Sequence, residues 1–267
     1  MEEALKEKFS CLKAIIRQNE SVLVAFSGGV DSTLLLAVCH EVLADRVMAV
    51  TVRHSAVDED EIADATKLAR MLGVNHHILD VGLAFKPIFE VNPANRCYLC
   101  KQAIFQLLLA RARQYGIETV MDASQADDLE EDRPGLQALA ELGIITPLKV
   151  AGLGKRDIRR ISKYMGLPTH DKPARPCLAT RFPPGESIHK DKLIMVKQAE
   201  SYLSELGLQN HRVRFRDGEA RIEVPLNSVA GLLDADTVSA LSTAFRAIGF
   251  SGIFLDLPGC LSRTDNL

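Results

Sequence analysis

One run of residues, Ser27-Gly28-Gly29-Val30-Asp31-Ser32-Thr33, has the donors and the backbone freedom that a phosphate group needs. Its two glycines permit positive φ, so the backbone can fold into a concavity of N–H groups. A helix pattern starting near Ser32 adds the partial positive charge and unpaired donors of a helix N-terminus. Ser27, Ser32 and Thr33 add hydroxyls. No Lys follows in the G-x-x-x-x-G-K-[ST] pattern, so this is not a Walker A loop, and the G-x-G-x-x-G spacing of a dinucleotide site is absent. The competing reading is a strand–helix turn that uses Gly for geometry and Asp or Ser for capping.

The thiols come next. Cys97-Tyr98-Leu99-Cys100 is a C-x₂-C pair ahead of an expected helix, flanked by Asn95, Arg96 and Lys101. Cys177 lies in Arg175-Pro176-Cys177-Leu178-Ala179-Thr180-Arg181. Cationic neighbours in both places favour thiolate. Six Cys in 267 residues are too sparse for a disulfide scaffold; in a reducing compartment, close spacing points to metal or redox chemistry. Three readings of Cys97, Cys100 and Cys177 stand side by side. They are a structural pair plus a surface thiol, a zinc site completed by His170 or His189, or a three-thiolate [4Fe–4S] cluster whose open iron can hold sulfide or substrate. Cys39, Cys11 and Cys260 are expected to serve packing.

His211 to Arg216 alternates so that Arg212, Arg214 and Arg216 share one strand face. Such a row is either a clamp for phosphate or a solvated face paired with Glu219 and Glu223. Asp122, Asp127 and Asp128 follow an expected strand end, where one could bind Mg²⁺ or orient a substrate; capping is the alternative for each. Asp58 to Glu61 complements a helix dipole and receives no function.

These residues need positioning elements. Val22 to Phe26 is a short apolar β-run, and Val47–Val52, His77–Val81 and Glu118–Asp122 repeat it. Helix patterns fall at about 3–17, from near 32, at 59–72 with Gly73 as stop, and at 101–115. Strands apolar on both faces and alternating with helices predict a doubly wound parallel α/β sheet. Prolines at 168, 173, 176, 183 and 184 break that rhythm. Beyond them, a helix at about 193–206, strands 211–216 and 219–224 joined by Asp217-Gly218, a helix near 236–248 and a strand near 252–257 suggest a smaller α+β domain. The expected division is 1–170, an interdomain loop at 171–187 carrying Cys177, and 188–267.

Composition fits a folded chain, with 47% hydrophobic and 25% charged residues. The net charge of −3 argues against a general nucleic-acid binder. No apolar run reaches the roughly 18 residues of a membrane span. The charged first ten residues lack the core of a signal peptide, so a cytoplasmic location is expected.

The S-G-G-V-D-S string after an apolar first strand resembles the PP-loop ATP pyrophosphatase superfamily. Further motifs narrow the resemblance. They are Asp122-Ala123-Ser124-Gln125-Ala126-Asp127-Asp128, Arg133-Pro134-Gly135, Pro147-Leu148, Pro176 to Arg181, Arg212-Val213-Arg214 and Ala220 to Val224. Together, over about residues 15–225, they look like the LarE family of ATP-dependent sulfur transferases, which act in maturation of a nickel-pincer cofactor. Thr180 stands where that pattern has Ser and keeps the hydroxyl.

The resemblance implies ATP bound at Ser27, Gly28, Gly29, Val30, Asp31, Ser32 and Asp128, with Mg²⁺ at Asp31 and the adenine near Thr51 to Ser55. It implies a small-molecule substrate, pyridinium-3,5-biscarboxylic acid mononucleotide, whose phosphate meets Arg181, Arg212 and Arg214. One carboxylate would be adenylated, and sulfur attack would then release AMP. Sulfur would come from a [4Fe–4S] cluster on Cys97, Cys100 and Cys177, or from Cys177 sacrificed alone. Glu200 and Glu223 would form a small metal site. A homo-oligomer is expected, with no nucleic acid or membrane partner. An amide-forming or NAD-synthetase-like ligase, a tRNA thiolase and a non-catalytic nucleotide sensor are the rival readings.

Overall fold

The computed structural model describes residues 2–128, 134–173 and 176–258, apart from the side chains of 83–85. Arg133, Arg175 and Cys260 lie outside the described residues. The chain divides into two compact units, one of residues 1–86 and 95–175, the other of 87–94 and 176–267.

In the first unit the order is α1 (Glu3–Arg17), β1 (Val22–Ala25), α2 (Val30–Leu43), β2 (Val47–Arg53), α3 (Glu59–Met71), β3 (Asn75–Asp80) and the start of α4 (Gly82–Val91). It continues with α5 (Arg96–Gln114), β4 (Thr119–Met121), α6 (Pro134–Glu141), α7 (Pro147–Val150) and α8 (Lys155–Tyr164). The strands pair in parallel in the order β3-β2-β1-β4. Alternation splits their side chains between two cores. Val22, Val24, Val47, Ala49 and Met121 pack with apolar residues of α1, α2, α3 and α8. Leu23, Met48, Val50 and Val120 pack with Phe105, Leu108 and Ala112 of α5 and Leu136 and Leu139 of α6. Burial on both faces is why these strands read as continuous apolar runs. The carboxyl ends of β1, β2 and β4 meet where the strand order reverses at β1, which is where open α/β sheets bind ligands.

The second unit contains α9 (Lys190–Glu205), β5 (Arg212–Arg216), β6 (Glu219–Glu223), α10 (Val229–Leu232), α11 (Ala235–Ile248) and β7 (Gly252–Leu255). The β5–β6 pair is antiparallel and β6–β7 parallel, giving a mixed sheet β5-β6-β7. Asp217-Gly218 closes the hairpin, aligning Arg212 with Glu223 and Arg216 with Glu219. Its core is aromatic, with Phe182 stacked on Phe215 at 5.4 Å and Phe250 6.0 Å from Phe215. Asn92 ties 87–94 into this unit, its side chain donating to the carbonyls of Pro183 and Glu186 at 2.7 Å each.

The chain therefore folds as the expected doubly wound sheet plus a smaller α+β unit. Two local expectations are corrected. Helix α5 begins at Arg96, so the C-x₂-C pair lies within its first two turns, not ahead of it; Tyr98, Leu99 and Lys101 are good enough helix formers to carry the helix through the pair. Cys11 is exposed, so it does not pack in the core. Cys39 does, with its sulfur 3.9 Å from that of Met121 and its thiol pushed up by burial. Among the described residues no helix is long and apolar enough to cross a membrane.

Candidate active site

The phosphate loop leaves β1 at Phe26, whose N–H donates to the Val50 carbonyl. Gly28 takes φ +69°, and a Cβ there would stand 3.1 Å from the Cα and Cβ of Ala65 on α3. The loop is thus folded left-handed and pressed onto α3, a place only glycine fills without strain. The Ser27 and Ser32 hydroxyls are 3.1 Å apart, and Ser32 also reaches the Gly29 carbonyl. Gly29 precedes α2, and the first intrahelical bond runs from Thr33 N–H to its carbonyl. The N–H groups before Thr33 have no helical carbonyl to take them, an arrangement of donors that suits an anion. For Gly28→Ala the expected result is a loss of about 1–3 kcal/mol of stability together with weakened ATP binding. Urea unfolding and equilibrium nucleotide binding measure both; an unmoved urea midpoint would show that the loop does not require this conformation.

An open cavity of about 400 Å³ lies over this loop. Its walls include Ser27, Gly29, Asp31 and Ser32 from the loop, Thr51 and His54 from the end of β2, Lys101 and Phe105 from α5, and Asp122, Ser124 and Asp128 after β4. Gly28 and Val30 belong to the loop without lining the cavity. Asp31 faces Lys155, whose ammonium donates to both of its carboxylate oxygens at 2.9 and 2.7 Å. Asp128 is buried and accepts from the backbone and side-chain nitrogens of Gln125. Asp127 accepts from the backbone N–H of Lys155 at 2.7 Å, so it caps α8. Thr51 donates to the Phe26 carbonyl, bracing β2 against β1. Burial pushes the His54 imidazole down to about 4, which keeps that wall uncharged at neutral pH.

Asp122 is buried between Lys101 and Ser124. Lys101 donates to one oxygen at 2.7 Å, and the Ser124 N–H and hydroxyl both donate to the other. Burial pushes this carboxyl up, but the Lys101 ammonium and the Ser124 hydrogen bonds outweigh it and hold the group below its ordinary value.

Cys97 and Cys100 stand one turn apart on α5, Cys97 exposed and Cys100 half-buried. Lys101 follows Cys97 by four positions, so the two share a helix face. That face continues through Ile104 and Phe105, which line the cavity.

In the second unit, Cys177 is exposed and opens a short 3₁₀ turn. Its carbonyl accepts from the Thr180 N–H at 3.0 Å and the Thr180 hydroxyl at 2.7 Å. Arg181 is buried and donates to both oxygens of Glu200 at 2.6 and 3.2 Å, and to the Thr180 hydroxyl at 2.9 Å. Arg214 pairs with both oxygens of Glu223 and donates to the Thr180 carbonyl at 2.8 Å. Arg212 is half-buried on the same strand face, and Arg216 is exposed. Arg181 and Arg214 thus converge on Thr180 beside Cys177, while Glu200 and Glu223 each serve an arginine. Among the described residues no group of three or more His, Cys, Asp and Glu is gathered as a metal site.

Lys101 and Lys155 went unassigned in the sequence. A signal existed for Lys155, since a cation in the first turn of a helix opposes the dipole and calls for a compensating partner; Asp31 is that partner.

The NAD synthase family model matches residues 5–115. An uncharacterised protein of Synechocystis sp. is 37% identical over 96% of this chain and 95% of its own length. Pyridinium-3,5-bisthiocarboxylic acid mononucleotide synthase of Lactiplantibacillus plantarum is 32% identical over 98% of this chain and 95% of its own. A tRNA-specific 2-thiouridylase of Desulforamulus reducens is 28% identical over 57% of this chain. Likeness to the synthase over nearly the full length of both chains, on a parallel sheet with a glycine phosphate loop, shows that the protein belongs to the LarE family of ATP-dependent sulfur transferases within the PP-loop ATP pyrophosphatases.

Proposed function

We propose that the protein adenylates a carboxylate of pyridinium-3,5-biscarboxylic acid mononucleotide and exchanges its oxygen for sulfur, giving the thiocarboxylate. The observation that carries this reading is one face of α5, which brings a C-x₂-C pair to within a turn of the cavity-lining Lys101. A carboxylate oxygen leaves poorly and AMP leaves well, so activation must precede sulfur entry. The loop N–H groups and the start of α2 hold the ATP phosphates, and they stabilise the pyrophosphate as it departs. Asp31 and Asp128 are hard oxygen donors at this cavity and suit Mg²⁺, which would screen the charge of the leaving group. Lys155 already balances Asp31 and would turn toward phosphate as the metal binds.

The donor set also suits iron. Cys97, Cys100 and Cys177 are soft ligands that would hold a [4Fe–4S] cluster, whose chemistry would be delivery of sulfide. Arg212, Arg214 and Arg181 serve the mononucleotide phosphate, with the Arg–Glu pairs fixing the guanidinium planes. A homo-oligomer acting on a small molecule, without nucleic acid or membrane, completes the reading; the net charge of −3 supports the exclusion of RNA.

Pyrophosphate and AMP release, measured with ATP and the mononucleotide, tests this reading. The expected result is release that depends on the mononucleotide, with a product carrying sulfur in place of oxygen. Release that ignores the mononucleotide, or that requires tRNA or ammonia instead, would overturn it.

A further inference from the structure

One cation in the nucleotide cavity has no task in the chemistry above. Lys101 lines the cavity, and three separate contacts fix it. Its ammonium donates to Asp122 at 2.7 Å. It stands 4.9 Å from the centroid of the Phe105 ring, a cation–π distance. Its stem passes over Gly135, where a Cβ would lie 2.9 Å from the Lys101 Cγ. A lysine stem is ordinarily flexible and loses much rotamer freedom when held. Here a buried carboxylate, a ring and a glycine all hold one. Asp122 is itself committed, since its other oxygen takes both donors of Ser124.

An ammonium has three donors, and Asp122 takes one. The Lys101 side chain keeps about 35% exposure, against 10% for Asp122, so the pair presents its cationic end to the cavity and buries its anionic end. A pair serving only to pin α5 to the end of β4 has no need of that asymmetry. The reaction does need a cation here. A carboxylate must approach a triphosphate, and two anions meeting in a partly dry cleft repel strongly.

We propose that Lys101 is a catalytic residue of the adenylating step, donating hydrogen bonds to the substrate carboxylate as it attacks the α-phosphorus, with Asp122, Ser124 and Gly135 as its positioning residues. The inference rests on the adenylation reading and deepens it. One bond forms, from carboxylate oxygen to α-phosphorus. One bond breaks, from α-phosphorus to the bridging oxygen, whose electron pair leaves with pyrophosphate. No proton moves, and Lys101 stays charged throughout. Since Cys97 is four residues from Lys101 along the helix, a rise of about 6 Å, a carboxylate activated there is held near the thiol pair.

The experiment measures pyrophosphate release at saturating ATP against mononucleotide concentration, with ATP binding alone and thermal melting measured beside it. Lys101→Met is expected to lower kcat/KM for the mononucleotide at least about a hundredfold while ATP affinity changes less than about threefold. Lys101→Arg, which keeps the charge, is expected to restore part of the loss. Gly135→Ala keeps the charge and displaces the stem, and is expected to cost about tenfold in the same parameter. If Lys101→Met fails to fold, the Arg and Ala variants decide the matter. A lowered melting temperature with kcat/KM for the mononucleotide unchanged in all folded variants would assign the pair a structural role and overturn the inference. If wild-type protein releases no pyrophosphate with the mononucleotide, the adenylation reading fails first and this inference falls with it.

Discussion

Cys177→Ala protein is expected to release pyrophosphate from ATP and the mononucleotide at close to the wild-type rate, yet to form no thiocarboxylate. The fall in product should reach at least about a thousandfold, because removing a reacting nucleophile or sulfur carrier removes the transfer step itself. Pyrophosphate release should survive because the phosphate loop and its cavity are built from residues 25–128, and Cys177 is held by other groups, through Thr180. Cys97→Ala and Cys100→Ala separate the two sulfur sources. After anaerobic reconstitution with iron and sulfide, the cluster reading expects each of the three variants to bind less iron and to lose repeated turnover. Sacrifice of Cys177 alone expects single turnover in the wild type and little effect of Cys97 or Cys100. Iron binding and turnover that survive all three substitutions would dismiss both sources.

The second large effect concerns stability. Arg181 is 5% exposed, and its guanidinium is divided between the two oxygens of Glu200 and the Thr180 hydroxyl. Glu200 in turn accepts from the Val213 N–H at the start of β5. Removing either charge leaves the other buried without its partner, which costs about 3–5 kcal/mol. Arg181→Met or Glu200→Gln should therefore shift urea unfolding strongly. Arg181→Met combined with Glu200→Leu should cost much less than the sum of the singles, because no orphaned charge remains. Because Arg181 also serves the mononucleotide phosphate in the proposed reaction, Arg181→Met protein that still folds should in addition raise KM for the mononucleotide. Single-variant losses below about 1 kcal/mol would show that the pair contributes only as a surface ion pair does.

These two expectations show which kinds of information the sequence carried. The phosphate loop was legible because its requirements are local. Two glycines, three hydroxyls and a helix start within seven residues set the local backbone and its donors wherever the chain goes. The sheet was legible because burial on both faces forces continuous apolar runs, and the mixed sheet because Asp217-Gly218 between alternating strands closes a hairpin. The C-x₂-C pair was visible as a spacing, but its place inside the start of α5 was not, because helix boundaries depend on packing as much as on propensity. The helices within 134–164 left little trace in the residue pattern. Short helices α6, α7 and α8 are set by burial against the sheet, not by long periodic patterns.

The ion pairs mark the clearest boundary between the two sources. Composition and motif pointed to an α/β enzyme of a nucleotide-using family, and singled out its thiols and arginines as residue types. Which charge answers which was decided only by tertiary structure. Lys155 meets Asp31 across 124 positions of chain, Lys101 meets Asp122 across 21, and Arg181 meets Glu200 across 19. Backbone geometry acts between neighbours, so its traces are written in adjacent residues. Coulombic and hydrogen-bonding partners are chosen by distance in space, which the chain acquires only when the sheet, its helices and its loops have closed on one another.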